Sequence, residues 1–298
     1  MTPRDFFRLF WKAIQSWFND GASRYGAAIA YYTLFALAPV LLVVIGIAGL
    51  AFGEEAVRGQ IVNQIAGLIG RDGAQAIQAI LQRASEPREG VGATVLGGFA
   101  LVFATTGAFL ELQAALNKIW HVKTDDQSGI DVKAILTRRL KSFGVVVSIG
   151  FLLMVSLTVS AAVNAFTSWL GNRASDWPML IRGINESLSL GLYTVLFAIL
   201  YRLLPDVKLE WRHVWVGAFV TALLFTIGLQ LIGLYLGRSA IASPFGAAGT
   251  IAIILVWVYY SAQIALLGAE FTYQYATFKR HRAPKPLPGA VRDQVPAT

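Results

Sequence analysis

The sequence predicts an all-α protein that crosses a membrane six times, and three observations support this fold class. Hydrophobic residues make up 56% of the chain and charged residues only 14%, whereas soluble domains contain about 25% charged residues. The apolar residues are gathered into stretches of roughly 20 or more residues, the length of helix that crosses about 30 Å of hydrocarbon. The basic residues alternate between the two sides of these stretches. A helical bundle in lipid explains this composition, because lipid solvates apolar side chains, and its helices pair their own backbone N–H and C=O groups.

The first predicted element is an amphipathic helix within the N-terminal segment, residues 1–24. Between residues 3 and 19, aromatic and aliphatic residues recur at helical spacing, with Arg4, Arg8 and Lys12 among them. Such a helix lies in the membrane interface with its apolar face towards the lipid. The alternative is that it packs on the membrane-spanning bundle. No apolar stretch typical of a cleaved signal peptide appears in this segment.

The predicted transmembrane domain covers residues 25–276. Pro39 lies near the middle of its first span and predicts a helix kink, because proline removes one backbone hydrogen bond. Gly233 and Gly237, four residues apart, predict close packing of the fifth span against another helix of the chain, and the alternative is a dimer contact. The six predicted spans are Tyr25–Phe52, Val91–Leu110, Phe143–Leu170, Ile181–Leu204, Val214–Leu236 and Thr250–Ala276.

Two segments outside the spans complete the predicted architecture. Residues 54–90 form an extracytoplasmic helical segment, in which two short amphipathic helices are separated by a break at Arg71-Asp72-Gly73 and fold as a hairpin. Residues 277–298 contain several prolines and form a disordered cytoplasmic tail.

The distribution of basic residues predicts the orientation of the chain. One set of segments, which includes both termini, holds 18 lysines and arginines, and the opposite set holds 7. Since basic residues accumulate on the cytoplasmic side, both termini are expected in the cytoplasm. The basic surplus, which gives a net charge of +8, therefore faces anionic lipid headgroups rather than nucleic acid.

Several short segments of the chain carry a family resemblance over residues 20–276. They are GAAIAYYTLFALAP from Gly26, LQAALNKIW from Leu112, YRLLPD from Tyr201 with the following Trp211-Arg212, GLYLG from Gly233, FGAAGT from Phe245 and LGAE from Leu267. Together they resemble the YihY/BrkB family. The resemblance implies a bacterial inner-membrane protein with six transmembrane helices and a link to envelope integrity. Members of this family have also carried an older label, ribonuclease BN.

The residues themselves give no support to the ribonuclease label. Metal-dependent nucleases need clustered histidines and carboxylates to hold their metals. The three histidines, His121, His213 and His281, are scattered, and none lies in a paired metal-binding pattern. The chain has no cysteine. We therefore expect no enzymatic activity, no bound metal, no cofactor and no nucleic-acid partner.

Polar side chains within apolar spans usually face a cavity or a neighbouring helix, because burying them in lipid is costly. An inner cluster is expected to form a cytoplasm-facing substrate cavity, in which Glu270 pairs with Arg202 or Lys118; the alternative is that such pairs only lock helix ends. A second cluster lies near the outer face, with Gln263 at mid-depth. The inner cluster is Tyr31, Tyr32, Glu111, Asn117, Arg202 and Glu270, and the outer cluster is Asn164, Glu186, Gln230 and Arg238.

These features favour a transporter or flippase-like protein for a lipid or another amphipathic, anionic component of the envelope. The alternative is a scaffold that does not transport and that recruits envelope-assembly partners through residues 54–90. No ATP-binding motif is visible, so transport would be passive, ion-coupled or driven by a partner. The sequence does not determine the oligomeric state.

Overall fold

The structure, a computed structural model, describes residues 3–85, 107–122, 178–207, 209–238 and 247–282. These ranges are helical, with short connections and no strand, which agrees with the predicted all-α class. The helices in chain order are α1 Pro3–Asn19, α2 Ala22–Phe52, α3 Glu54–Ser85, α4 at residues 107–119, α5 Pro178–Leu203, α6 Trp211–Arg238 and α7 Ala247–Arg282.

Three of the described helices are long and apolar enough to cross a membrane. Their apolar stretches are Glu186–Leu203 in α5, Trp211–Leu234 in α6 and Ile251–Lys279 in α7, and the bent helix α2 adds a fourth if its two parts act as one span. These helices correspond to the predicted first, fourth, fifth and sixth spans. Most of the predicted second span and all of the third lie outside the described residues. The total of six membrane spans therefore stays a prediction.

Helix α2 is bent near its middle. Its parts Ala22–Ala38 and Val40–Leu50 meet at an angle of 46°. Pro39 lies between the two parts, where the missing N–H and the pyrrolidine ring interrupt the helical hydrogen-bond ladder. The bend separates the part of α2 that begins beside α1 from the part that leads into α3.

Helix α3 has no interruption at residues 71–73, where the sequence predicted a break between two helices. The chain is helical at every residue from Glu54 to Ser85. A glycine within a helix costs only about 1 kcal/mol relative to alanine. That cost is offset by burial on both sides of the glycine, since Val57, Ile61, Ile77 and Leu81 all belong to one apolar cluster.

The chain instead leaves α2 at a single residue, Gly53. Its φ of 83° lies in the left-handed region, which glycine adopts without strain. The Gly53 N–H donates to the Gly49 carbonyl oxygen at 2.8 Å and ends α2. Helix α3 then packs against α2 and α7. The extracytoplasmic location of this segment stays a prediction.

Helices α6 and α7 approach each other through a reciprocal arrangement of glycine and threonine. A Cβ atom on Gly217 of α6 would overlap the side chain of Thr272 on α7, and one on Gly268 of α7 would overlap Thr221 on α6. Each threonine hydroxyl donates to the glycine carbonyl four residues earlier in its own helix, at 2.8 Å in α6 and 2.7 Å in α7. The hydroxyls are thus satisfied, and the missing glycine side chains permit close contact.

Helix α1 packs on α7 with one side and exposes apolar residues on another. Leu9 and Ala13 are buried, and the rings of Phe6 and Phe10 lie 5.4 and 6.4 Å from the ring of Phe271. Packing on the bundle, one of the two alternatives, therefore describes one side of α1, and insertion into the membrane interface stays a prediction for the other. The most exposed apolar side chains are Phe7, Trp11 and Phe18, at 70%, 55% and 69% exposure.

Candidate functional site

A cavity of about 490 Å³ lies where the turn between α1 and α2 meets α4. Gly21 makes this turn possible because its φ of 69° is in the left-handed region. The turn places Asp20 before α2 and Arg24 in the first turn of α2, while α4 contributes Glu111 and Lys118. Of the predicted inner cluster, Glu111 is the member that lines this cavity.

The cavity contains two basic and two acidic side chains. Arg24, Glu111 and Lys118 form no ion pair with one another or with any other described residue. The cavity therefore holds charged groups of both signs whose pairing capacity is free for a ligand. A small anion alone would leave the carboxylates without a partner, whereas a ligand carrying phosphate together with ammonium or hydroxyl groups would satisfy both kinds of side chain.

An exposed aromatic surface on α2 begins about one helical turn after the cavity. Ala28, which lines the cavity, shares a helix face with Tyr32 and Phe35, because these residues are spaced by four and three. The Tyr31 ring lies 5.5 Å from the Tyr32 ring and 5.1 Å from the Phe35 ring, and Tyr31 and Phe35 are more than half exposed. Tyr32 packs against the backbone of Gly107 in α4, where a Cβ atom would lie only 2.8 Å from the tyrosine ring.

Asn117, another member of the predicted inner cluster, joins α4 to the loop after α5. Its side-chain amide donates to Asp206 Oδ2 at 3.0 Å, and the Asp206 backbone N–H donates to Asn117 Oδ1 at 2.8 Å. Gln113 Nε2 donates to the same carboxylate oxygen at 3.1 Å. These bonds connect the LQAALNKIW and YRLLPD segments in space, and they occupy the amide that was predicted to bind substrate.

The predicted pairing of Glu270 with Arg202 or Lys118 is wrong. The Arg202 guanidinium carbon lies 5.6 Å from the centre of the Trp211 ring, in a cation–π arrangement. Glu270 is fully buried, and neither of its carboxyl oxygens has a hydrogen-bond partner. The reason is rotational position. Helical spacing predicts how far along a helix a residue lies, but not which neighbour it faces, and the Glu270 side chain points into the interior of the bundle.

Sequence reasoning left Asp20, Arg24 and Lys118 out of the predicted site. One feature of the sequence could have indicated this site: Gly21 lies between an amphipathic and an apolar helical segment, with charged residues on both sides of it.

Tyr201 is a further residue that sequence reasoning left out of the site, and it connects three helices. Its hydroxyl donates to the Ala265 carbonyl oxygen at 2.6 Å and lies 3.1 Å from Thr221 Oγ1, which ties α5 to α6 and α7.

The described residues do not test the predicted outer cluster as a whole. Asn164 lies outside them, and Arg238 is the last residue of α6. Glu186 and Gln230 are exposed on α5 and α6, in the parts of these helices far from the loop that joins them. The outer site stays a prediction.

Gln263, predicted at mid-depth, lies beside the first turns of α2. Its side-chain amide is 3.5 Å from the Ala22 carbonyl oxygen, and a Cβ atom on Gly26 would overlap it. Gln263 therefore packs α7 against α2 at close range. Among the described residues, no three or more histidine or acidic side chains come together in a way that could hold a metal ion.

The family model described as Virulence factor BrkB matches residues 13–292. This chain belongs to the BrkB family. Relatives named as UPF0761 membrane proteins are 28% identical in Verminephrobacter eiseniae over 83% of this chain, 28% identical in Alkalilimnicola ehrlichii over 89% and 27% identical in Legionella pneumophila over 93%. The matched regions cover 57%, 58% and 64% of these relatives, so the chain spans less than two thirds of their length. No solved structure matches the chain significantly.

The BrkB match covers every helix of the described fold except the first ten residues of α1. It includes the cavity between α1, α2 and α4 and the bonds between Asn117 and Asp206. The relatives are membrane proteins by name, which agrees with the apolar helices α5, α6 and α7. Neither the family description nor the relatives' names state a substrate.

Proposed function

We propose that this BrkB-family protein binds a lipid or another amphipathic, anionic envelope component at the cytoplasmic face of the bacterial inner membrane and moves it across. The observation that carries the proposal is the cavity with charges of both signs next to an exposed aromatic stripe. This combination matches a molecule with a charged headgroup and an apolar tail. A volume of about 490 Å³ is within the roughly 300–1,000 Å³ range of small-molecule sites.

In this proposal the two ends of the ligand contact different helices. Arg24 and Lys118 bind the phosphate, and Arg24 does so with the planar fork that matches two phosphate oxygens at once. Glu111 accepts hydrogen bonds from the ammonium or hydroxyl groups of the headgroup. Tyr31 and Phe35 contact the apolar tail on the exposed face of α2. No covalent step is involved, and we expect no enzymatic activity.

Helix α1 fits an orientation in which the cavity lies at the cytoplasmic face of the membrane. Its exposed apolar residues Phe7 and Trp11 would insert into the cytoplasmic leaflet, and Arg4, Arg8 and Lys12 would face anionic headgroups. Docking of α1 in the interface would place the adjoining cavity at headgroup depth. Both termini are cytoplasmic in this arrangement.

Equilibrium lipid binding tests the proposal. The purified protein is titrated with fluorescent phosphatidylglycerol, and unlabelled phosphatidylglycerol, phosphatidylethanolamine or diacylglycerol is added as competitor. The double variant Arg24→Gln, Lys118→Gln should bind roughly 10- to 100-fold more weakly, because two charge-assisted contacts are lost. The matched control is Arg212→Gln, which removes a basic residue whose exposed partner is Glu210. Equal competition by diacylglycerol, or equal weakening in the control, would contradict a headgroup site.

The alternative function is a scaffold that recruits envelope-assembly partners through residues 54–90. A second cavity of about 490 Å³, lined by Glu54, Glu55, Arg58 and other residues of α3, favours this reading because it could receive a basic segment of a partner. One comparison of two double variants distinguishes the transporter from the scaffold. If Glu54→Lys with Glu55→Lys abolished the envelope phenotype while Arg24→Gln with Lys118→Gln did not, the scaffold would be favoured.

A further inference from the structure

Arg202 is a basic side chain that the proposed lipid cavity does not use. It lies in the last turn of α5, and its guanidinium carbon is 5.6 Å from the centre of the Trp211 ring at the start of α6. Arg202 forms no ion pair with a residue that the structure describes. Stacking on an aromatic ring engages the face of a guanidinium group and leaves its N–H donors free in the plane of the group. Arg202 therefore keeps the capacity to bind an oxyanion.

The acidic side chains of the connection between α5 and α6 are engaged with other partners. Glu210 forms an ion pair with Arg212, whose Nε lies 2.7 Å from Glu210 Oε2. Asp206 accepts hydrogen bonds from two side chains of α4, at 3.1 and 3.0 Å. The positive charge of Arg202 is thus available to an anionic group from outside the chain.

A row of exposed, large apolar side chains begins beside Arg202 and runs along α6. Its members recur every four residues and are between 39% and 56% exposed. Residues four apart are neighbours on a helix surface, so the row forms a continuous ridge. Between residues 215 and 227 this ridge is about 18 Å long at roughly 1.5 Å per residue, which is close to the thickness of one leaflet, about half of the roughly 30 Å of hydrocarbon. The members are Trp211, Trp215, Phe219, Leu223, Ile227 and Leu231.

The two tryptophans at the start of this row indicate where it lies relative to the membrane surface. The rings of Trp211 and Trp215 are 6.3 Å apart, and exposed tryptophans are enriched at the level of the lipid headgroups. Arg202 then lies at headgroup level, and the rest of the row extends into the hydrocarbon. A small soluble anion would bind Arg202 but leave the row uncovered. An apolar helix of another protein would cover the row but leave the Arg202 donors without an acceptor. A phospholipid matches both.

We propose that the exposed surface of α5 and α6 holds one anionic phospholipid, whose phosphate binds Arg202 and whose acyl chain lies along the apolar row of α6. The guanidinium plane of Arg202 matches two phosphate oxygens at once. The site is separate from the cavity between α1, α2 and α4, and its lipid stays bound instead of crossing the membrane. The site therefore exists whether or not the protein transports a lipid.

Photocrosslinking in lipid nanodiscs tests the site. The purified full chain is placed in phosphatidylcholine nanodiscs that contain a small amount of either phosphatidylglycerol or phosphatidylcholine with a photoreactive diazirine in its acyl chain. Mass spectrometry of the digested protein then maps the labelled residues. Phosphatidylglycerol should label residues 219–227 about fivefold more than phosphatidylcholine does, because a basic residue at headgroup level attracts the anionic lipid.

Three variants assign this preference to Arg202. Arg202→Gln should reduce the labelling by phosphatidylglycerol to the level of phosphatidylcholine. The matched control Arg212→Gln removes a basic residue of the first turn of α6 whose partner is Glu210, and it should keep the preference. Arg24→Gln with Lys118→Gln changes the cavity and should keep the preference as well, so the result is independent of the proposed transport site.

Several results would overturn the proposal. Equal labelling of residues 219–227 by the two lipids in wild type would show ordinary contact with the bilayer and no headgroup site. This comparison needs no variant, so it decides even if Arg202→Gln does not fold. Absence of labelling by either lipid would show that protein covers the row. An equal loss of preference in Arg212→Gln would indicate a general effect of surface charge. Failure of the transport proposal leaves this measurement intact.

Discussion

At the residue scale, Asn117 shows how one side chain can join distant segments. It exchanges two hydrogen bonds with Asp206 across 89 positions of the chain. We expect Asn117→Ala to reduce the free energy of unfolding by about 1–2 kcal/mol, because one bond involves a carboxylate while the pair stays partly accessible to water. Thermal unfolding in detergent, followed by intrinsic tryptophan fluorescence, measures the change.

The matched control is the exposed ion pair between Arg212 and Glu210, whose closest atoms are 2.7 Å apart. Exposed pairs contribute little, so Arg212→Ala should change the free energy of unfolding by about 0.5 kcal/mol or less. An equal loss in both variants would show that the bonds between Asn117 and Asp206 contribute no more than a surface pair.

The position of each polar residue along its helix could be predicted from the sequence, whereas its contact partners could not. Glu111 and Glu270 were both predicted near the inner end of their helices. The structure places Glu111 in the cavity and turns Glu270 into the interior. The difference depends on which neighbour packs on each face of a helix. Such contacts join residues far apart in the chain and leave no periodic pattern in it.

At the scale of elements, the contact between α6 and α7 depends on glycines that face threonines. Gly217→Ala should destabilise the protein by about 1–3 kcal/mol, because its Cβ would overlap the buried, stiff side chain of Thr272. Gly233→Ala is the matched control on the same helix, since a Cβ there meets nothing within 4 Å. Its higher helix propensity should leave stability unchanged or raise it by up to about 1 kcal/mol.

Thermal unfolding of the two alanine variants in the same detergent provides the measurement. The packing account would be contradicted if Gly217→Ala were as stable as wild type, or if Gly233→Ala were the less stable of the two. A third variant, Gly217→Ala with Thr272→Ala, should recover part of the loss, because it removes the hydroxyl and the methyl group of the threonine, both of which the new Cβ would overlap.

The sequence indicated that small residues pack helices together, but the close contact between α6 and α7 uses glycines other than the predicted pair. Gly233 and Gly237 have the four-residue spacing expected for close packing, yet the space around Gly233 is open. Gly217 and Gly268 each pair with a threonine on the opposite helix instead. In α3 the tertiary contacts of Ile61 and Ile77 hold a helix through a segment that reads locally as a break.

At the scale of the whole molecule, the basic residues predict that α3 faces the outside and the loop between α5 and α6 faces the cytoplasm. The chain has no cysteine, so single cysteines report on topology without background. Gln75→Cys in α3 and Glu210→Cys between α5 and α6 both replace exposed residues. An impermeant maleimide should label Gln75→Cys in cells whose outer membrane alone is permeabilised, and Glu210→Cys only after lysis. The reverse pattern would invert the predicted orientation.

The apolar spans of the described helices and the arrangement of the bundle were predictable to different degrees. The apolar stretches in α5, α6 and α7 were evident from composition and length, because lipid exposure demands continuous hydrophobic sequence. The cavity between α1, α2 and α4 was not, because it depends on a turn at Gly21 and on contacts between helices.

The central claim, that the charged cavity handles the headgroup of a transported amphipath, is tested most directly by lipid exchange in reconstituted vesicles. The vesicles contain the protein and a fluorescent phosphatidylglycerol, and an impermeant quencher reports how fast lipid moves between leaflets. Wild type and Arg212→Gln should exchange lipid much faster than protein-free vesicles, and Arg24→Gln with Lys118→Gln should slow the exchange about 10-fold or more. Exchange by folded wild type at the protein-free rate, or an unaffected double variant, would contradict the claim.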